Sequence, residues 1–500
     1  MKRLFSYTTA VFFLSVMSCE NALLVDPTDQ YSADTFWTET EHFNAGLAGV
    51  YNSLYGLSAI FVGETDMITP NAKAYNEANG TDGIARGAAL ATTALFSNLW
   101  NNAYRGIGRC NTLLDQLGNS PLQPEQARLM EGQALFVRSL LYHYLADHFG
   151  GVPLVLETPD PKIHSDLPRA TKGEVVSRII SDLDRAAELL PNRFTGNNLG
   201  KATKGAALAL KSRILLFEED WEGAASAAKE VIDLGVYDLF GDYRGIWYPE
   251  NENSVEVIFD IQYQAPFFMH GADHNSKLLN RPAPLKDLVD VYLMKDGKTI
   301  KESNLFDPGK PYDNRDPRLH QSVVIAGYPY NGKISTRSDV VTTGFGSKKH
   351  TIYKDNVTIP DVVAGNSDLN IILIRYAEVL LTYAEALNEL QGPTGQVSWA
   401  LNKVRSRPTV NMPPVAENLN KDQMRELVRL ERRVEFAMEG RYYSDIKRWK
   451  TAEIVNNKPI YNADDEMIEK RVFKAERDYL WAIPPAQIDL NPNLQQNPNW

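Results

Sequence analysis

Few residue groups in this chain are spaced for chemistry, and each has a simpler reading. His270-Gly271-Ala272-Asp273-His274 offers two imidazoles and a carboxylate, the donor types that hold a divalent cation. The histidine spacing suits one face of a helix, but Gly271 and the preceding Pro266 favour a loop. Gly327-Tyr328-Pro329-Tyr330-Asn331-Gly332-Lys333 repeats the opening of a phosphate-binding loop. Ile334 then stands where a magnesium-binding hydroxyl is needed, and Pro329 removes a backbone donor from the cradle. That segment reads as a surface turn. Asp464-Asp465-Glu466 has the oxygen donors for calcium but reads as a solvated acidic turn. No nucleophile elbow, zinc-protease helix or dinucleotide fingerprint is present. The 63 acidic residues supply many carboxylate pairs, and nothing singles out two of them for glycoside hydrolysis. No catalytic set, metal site or cofactor is expected.

Aromatic and amide residues concentrate in two non-helical stretches, near residues 60–95 and 240–370. Tyr75 and Asn76 lie in the first; Trp247, Tyr248, Tyr263, Phe267, Phe268 and Tyr292 lie in the second. Aromatic faces stack on the apolar faces of sugar rings, while Asn, Asp and Arg hydrogen-bond hydroxyls. Most of these aromatics are expected to pack the insertions onto a scaffold, with one or two meeting a ligand. Insertions of this kind commonly carry function.

The scaffold that must position them is helical. Phe43, Leu47, Val50 and Leu54 form one apolar stripe, and Met130, Ala134, Val137, Leu141 and Tyr144 form another that stops at Phe149-Gly150-Gly151. Val176, Ile180, Leu183 and Ala187 make a third, ending near Pro191. Ala206, Leu210, Ile214 and Phe217 are followed by Trp221, Ala224, Ala228 and Val231, running to Gly235. Two helices on a tight turn, with alanines where they cross, follow the logic of a tetratricopeptide unit. Similar pairs are expected from Arg375 to Arg405, from Asp422 to a cap at Gly440, and before Pro191. The fold class is therefore mainly α, a degenerate tetratricopeptide-like scaffold of about four helix pairs with irregular, partly β insertions. Brief alternating runs at 255–259 and 322–325 predict strands.

The N-terminus directs export. Lys2 and Arg3 precede an uncharged apolar stretch from Leu4 to Met17, too short to span a bilayer. Ser18-Cys19 places a small residue before a cysteine, as at a lipoprotein cleavage site, although Met17 fits that site imperfectly. Residues 1–18 are read as a signal peptide, Cys19 as the lipid anchor, 19–34 as a tether and 35–500 as a single domain. Cys110, the other cysteine, reads as a small buried apolar residue. Net charge is -11, and without residues 1–18 there are 50 basic against 63 acidic residues. Such a body is a poor partner for phosphate backbones, so nucleic acid is not expected.

The C-terminal half carries a resemblance. Ile374-Arg375-Tyr376-Ala377-Glu378-Val379-Leu380-Leu381, Tyr383-Ala384-Glu385-Ala386-Leu387-Asn388 and Leu401-Asn402-Lys403-Val404-Arg405 resemble motifs of the SusD/RagB family. So do Glu431-Arg432-Arg433-Val434-Glu435-Phe436-Ala437-Met438-Glu439-Gly440, Tyr479-Leu480-Trp481-Ala482-Ile483-Pro484, and, upstream, Phe149-Gly150-Gly151-Val152-Pro153 and Asn314-Arg315-Asp316-Pro317-Arg318. The resemblance implies an outer-membrane, cell-surface lipoprotein that captures oligosaccharide for a SusC-like TonB-dependent transporter. Peptide capture, as in RagB-like members, is the alternative, and a surface glycoside hydrolase a further one. The family's insertions vary, so ligand contacts are chosen by position: Asp66, Asn71, Tyr75, Tyr263, Phe267, Tyr292 and Arg375. Arg375 lies inside a family motif and is better read as an ion pair with a carboxylate such as Glu378. The arginines of residues 431–441 are read as scaffold.

Overall fold

Side-chain caps set where several scaffold helices begin. Oxygens of Thr171, Thr203, Asp220, Thr394 and Asn420 each accept a backbone N–H from the first turn that follows, satisfying donors that a helix start leaves open. The computed structural model describes residues 36–57, 63–75 and 79–500. The expected leader, Cys19, its tether and Asn76 lie outside the described residues.

The scaffold comprises α1 (Thr40–Asn52), α2 (Ala94–Leu117), α3 (Pro124–Phe149), α4 (Lys172–Leu189), α5 (Lys204–Phe217) and α6 (Trp221–Asp233). The short α7 (Ala272–Leu278) lies in the second insertion. The scaffold resumes with α8 (Tyr376–Gln391), α9 (Gly395–Arg405), α10 (Lys421–Glu435) and α11 (Tyr442–Arg448). Neighbours in this series stack in order from α2 to α6, α6 then packs on α8, and α8 receives both α9 and α10. This is the expected mainly helical, tetratricopeptide-like stack. Ala224, Ala227 and Ala228 are buried on α6, where small side chains permit close approach. Among the described residues, no helix is long and apolar enough to cross a membrane.

Some local readings are corrected. The core face of α4 is Val175, Ile179, Leu183 and Ala186, one residue out of phase with the expected stripe at Val176 and Ile180. α10 ends at Glu435, not at Gly440. Met438 and Gly440 both take positive φ (64° and 71°), because residues 436–440 turn back into the protein and the Gly440 amide donates to Asp66 Oδ2. Asp273 and His274 lie on α7, not in a loop. Asp273 is occupied by the Ile352 amide and the Ser367 hydroxyl, and no group of His, Cys, Asp and Glu suited to a metal ion occurs among the described residues.

The strands form two-stranded antiparallel sheets. β1 (Ala72–Lys73) pairs with β3 (Ala283–Pro284), and β2 (Val257–Ile261) with β8 (Ile371–Arg375). The second ladder clamps the two ends of the long insertion together and feeds directly into α8. β4 (Val323–Ile325) pairs with β7 (Phe345–Ser347), and β9 (Pro459–Tyr461) with β10 (Met467–Lys470). The phosphate-loop lookalike is the hairpin of β5 (Pro329–Tyr330) and β6 (Lys333–Ile334). Its turn residues Asn331 and Gly332 take φ of 50° and 72°, the conformation two-residue hairpins favour. The main core lies within the helix stack, and a second core under the insertions joins Met67, Leu288, Tyr292, Leu319, Phe345 and Met438.

Candidate functional site

The insertions rest on a buried ionic frame. Arg318, Lys349, Arg375, Arg405 and Arg407 interlock with Glu256, Asp316, Glu431, Glu435 and Glu439. All but Glu439 are buried, and five cations answer five carboxylates, so the frame is neutral. Burial opposes the Glu435 carboxylate, but Arg407, Arg375 and Arg318 hold it far below the usual carboxylate range. Arg375 belongs to this frame: it reaches Glu256, Glu435 and Glu439 at 2.7–2.9 Å. Glu378, the partner expected for it, is taken by Arg213 at 2.6 and 2.7 Å.

Other predicted ligand contacts are also structural. Asp66 is buried, accepting from Asn71 Nδ2 at 2.9 Å and from the Gly440 amide at 2.7 Å, and burial raises it to about 6. Asn71 is buried beneath Arg433, whose Nε donates to Asn71 Oδ1 at 2.8 Å. Tyr292 is wholly buried in the second core. Trp247 is buried too, its ring lying 4.7 Å from Lys349 Nζ. Of the predicted set, Tyr75 (56 % exposed) and Phe267 (76 % exposed) offer their faces to solvent.

Around Phe267 the aromatics form a shelf. The Phe267 and Phe268 amides both donate to Gln264 O, a tight turn with Phe267 at its tip. Phe268 stacks on Tyr55 at 4.9 Å, Tyr55 meets Tyr263 at 4.9 Å, and the buried Tyr263 meets His270 edge-on at 4.5 Å. His270 leads from the shelf into a cavity of about 120 Å³. Half-buried Gly271, Asn275 and Arg281 stand at its solvent side, with buried Lys349, His350 and Met438 within. The β1–β3 register, Lys73 opposite Ala283, carries Tyr75 along the side where Arg281 enters β3.

The charges lining the cavity have partners in the protein. Glu64 is bound by Arg281 and by the Asn79 amide. Lys349 Nζ donates to Glu435 O at 2.7 Å and Glu439 Oε1 at 2.5 Å, and burial brings it down to about 8. The two histidines differ. The Ala272 amide donates to His270 Nδ1, so Nε2 carries the proton and donates to Leu369 O at 2.7 Å. Both ring nitrogens of His350 are buried without a hydrogen-bond partner, and burial lowers its pKa to about 3, leaving it neutral.

A wider groove of about 620 Å³ lies between α2 and the C-terminal segment. Two of the polar groups in its wall are spent within the protein: the Tyr104 hydroxyl donates to Pro153 O, and the Asn491 amide to Leu167 O. The smaller cavity, with its aromatic approach, is the better match to a stacking ligand. Sequence reasoning missed Glu64, Asn275, Arg281 and His350. The run Lys348-Lys349-His350 inside an insertion was the available signal for the last.

Comparison with known proteins bears on this arrangement. A family model described as SusD family matches residues 240–500, and one described as starch-binding associating with outer membrane matches residues 30–216. The chain belongs to the SusD family. Among its SusD relatives, SusD-like protein P25 of Formosa agariphila is 25% identical over 464 residues, 87% of this chain and 88% of the relative. A SusD-like carbohydrate binding protein from Bacteroides fragilis superposes with a TM-score of 0.84 at 28% identity, covering 92% of this chain and 100% of that one. A laminarin binding SusD-like protein shares the fold, with a TM-score of 0.68 at 22% identity over 93% of this chain and 100% of that one.

Proposed function

We propose that this chain is a non-catalytic, cell-surface glycan-capture lipoprotein, tethered to the outer membrane through Cys19, that hands oligosaccharide to a SusC-like TonB-dependent transporter. One observation carries the glycan reading: a solvent-facing aromatic shelf, tipped by Phe267, leads into a polar cavity whose charges are already paired. Stacking surface beside neutral hydrogen-bonding groups suits a ring that is apolar on its faces and hydroxylated at its edge. The Bacteroides fragilis protein named as carbohydrate binding supports the same class of ligand. The carboxylates support the non-catalytic part: among the described residues the cavity wall holds one, Glu64, locked to Arg281, whereas glycoside hydrolysis needs two flanking the scissile bond.

Affinity electrophoresis of the mature chain through gels containing starch, laminarin, xylan, pectin or mannan tests the ligand class. Retardation by at least one, weakened by Phe267→Ala, is expected. Retardation by none, with binding to peptides in calorimetry, would move the assignment to peptide capture. Release of reducing sugar by the purified protein would sink the non-catalytic reading. Co-purification of a TonB-dependent transporter from detergent-solubilised outer membranes tests the partner, and labelling of intact cells with a membrane-impermeant reagent tests the surface placement.

A further inference from the structure

The loop between α4 and α5 carries two cations, exposed Arg193 and half-buried Lys201. Among the described residues neither forms a salt bridge. Lys201 Nζ donates to the neutral Asn198 Oδ1 at 2.6 Å, and burial, with no charged neighbour acting on it, lowers its pKa. Other half-buried lysines in this acidic chain are paired: Lys73 with Asp82 and Glu469, Lys211 with Asp184, and Lys277 with Asp361.

Both cations line a cavity of about 60 Å³, together with Tyr237 and Asp260. The Arg193 charge works against the burial that raises the Tyr237 phenol, which puts the guanidinium beside this cavity. Asp260 does not neutralise the pair: its Oδ1 takes Gln262 Nε2, and burial favours its protonated form. Lys201 and Asp260 also line a neighbouring cavity of about 100 Å³, whose wall includes Tyr55. Phe268 stacks on Tyr55, so the aromatic shelf borders this cavity as well as the one reached through His270. An ammonium partly withdrawn from water gains from an anion that brings both charge and acceptor oxygens. Lys201 has donors beyond the one given to Asn198, and a guanidinium presents five. We propose that these two cavities form an anion-reading subsite, in which Arg193 and Lys201 hold a carboxylate or sulfate ester carried by the glycan. The carrier rests on the glycan reading above; the charge selection rests on the unpaired cations.

The test reads Lys201 directly on the mature chain. Its acylation by sulfo-N-hydroxysuccinimide acetate is quantified by mass spectrometry with and without D-glucuronate, D-glucose 6-sulfate or D-glucose. Saturable protection of Lys201 by at least one of the two anions is expected, with none by D-glucose and none at exposed Lys298; which anion protects distinguishes carboxylate from sulfate. With an acidic polysaccharide that retards the protein, Lys201→Met should weaken binding about tenfold and Lys201→Arg less than about threefold, while affinity for neutral polysaccharides stays unchanged. Arg193 is exposed, so Arg193→Met carries little packing and should weaken the acidic polysaccharide in the same selective way even if Lys201→Met does not fold. Equal protection by D-glucose would overturn the charge selection. Retardation by neutral polysaccharides alone, with Lys201 unprotected by either anion, would overturn this inference and leave glycan capture standing. No retardation by any polysaccharide and no protection by any sugar would remove both readings.

Discussion

Arg375 and Glu435 meet at 2.7 Å with both side chains buried, and each also binds further members of the frame that joins α8 and α10 to the insertions. Desolvating ten charged groups is costly, and the arrangement holds only because the charges balance. Arg375→Ala would strand Glu256, Glu435 and Glu439 with less than their full complement of cations. We expect a stability loss of about 3–5 kcal/mol, the usual consequence of removing one partner from a buried pair. Guanidinium denaturation would measure it. A loss below about 1 kcal/mol, the range of surface pairs, would show that the frame relaxes or admits water.

Phe267 stands at the opposite extreme, exposed at the tip of a turn. Phe267→Ala removes little packing, so the melting temperature should stay within about 1–2 °C of wild type. Ring stacking contributes about 0.5–1.5 kcal/mol, so glycan affinity should fall roughly three- to tenfold. Calorimetric titration with a polysaccharide that retards the protein would read it. Unchanged affinity would take Phe267 out of the site.

The contrast between Arg375 and Phe267 explains what could be read from the sequence. Apolar periodicity and alanine spacing made the helix stack legible, because those patterns are local. The α4 phase slipped by one because Val175-Val176, Ile179-Ile180 and Ala186-Ala187 double the apolar residue at three positions, and the choice within each pair falls to tertiary packing. Arg375, Asp66 and Asn71 look like ligand contacts in sequence because the same side chains serve buried frames and open sites. What separates them is burial among groups far away along the chain: Arg375 with Glu256, and Asp66 with Gly440. Glu64, Arg281 and His350 were invisible as a group for the same reason, since only the fold brings them to one cavity.

Cys110 is buried in α2, where burial pushes its thiol up to about 12. Thiolate is the reactive form, so iodoacetamide should leave Cys110 unmodified in the native protein at neutral pH and label it after denaturation. Mass spectrometry of tryptic peptides would show this. If Cys19 is acylated, its thioether should resist alkylation in both states, and Cys19→Ala should move the protein from the membrane to the soluble fraction. A Cys19→Ala protein still sedimenting with membranes would remove the lipid-anchor reading.

Asp260, on β2, is a buried carboxylate with no salt-bridge partner among the described residues. Gln262 Nε2 donates to its Oδ1 at 2.5 Å, while Oδ2 has no hydrogen bond of good geometry. Burial, with a smaller contribution from nearby Glu252, raises its pKa to about 7. An unfolded aspartate loses its proton near about pH 4. Between those values the folded chain holds a proton that the unfolded chain has released, so stability falls as pH rises through the window and levels off above about 7. The loss is bounded by about 4 kcal/mol, three pKa units at about 1.4 kcal/mol each. Asp260→Asn keeps the shape and cannot ionise. Against wild type, it should therefore gain stability as pH is raised from about 5 to about 8, as read from guanidinium midpoints at the two ends. Parallel pH dependences for the two proteins would mean that the folded state admits water or a cation to Asp260, and the assignment of a protonated carboxyl at neutral pH would fail.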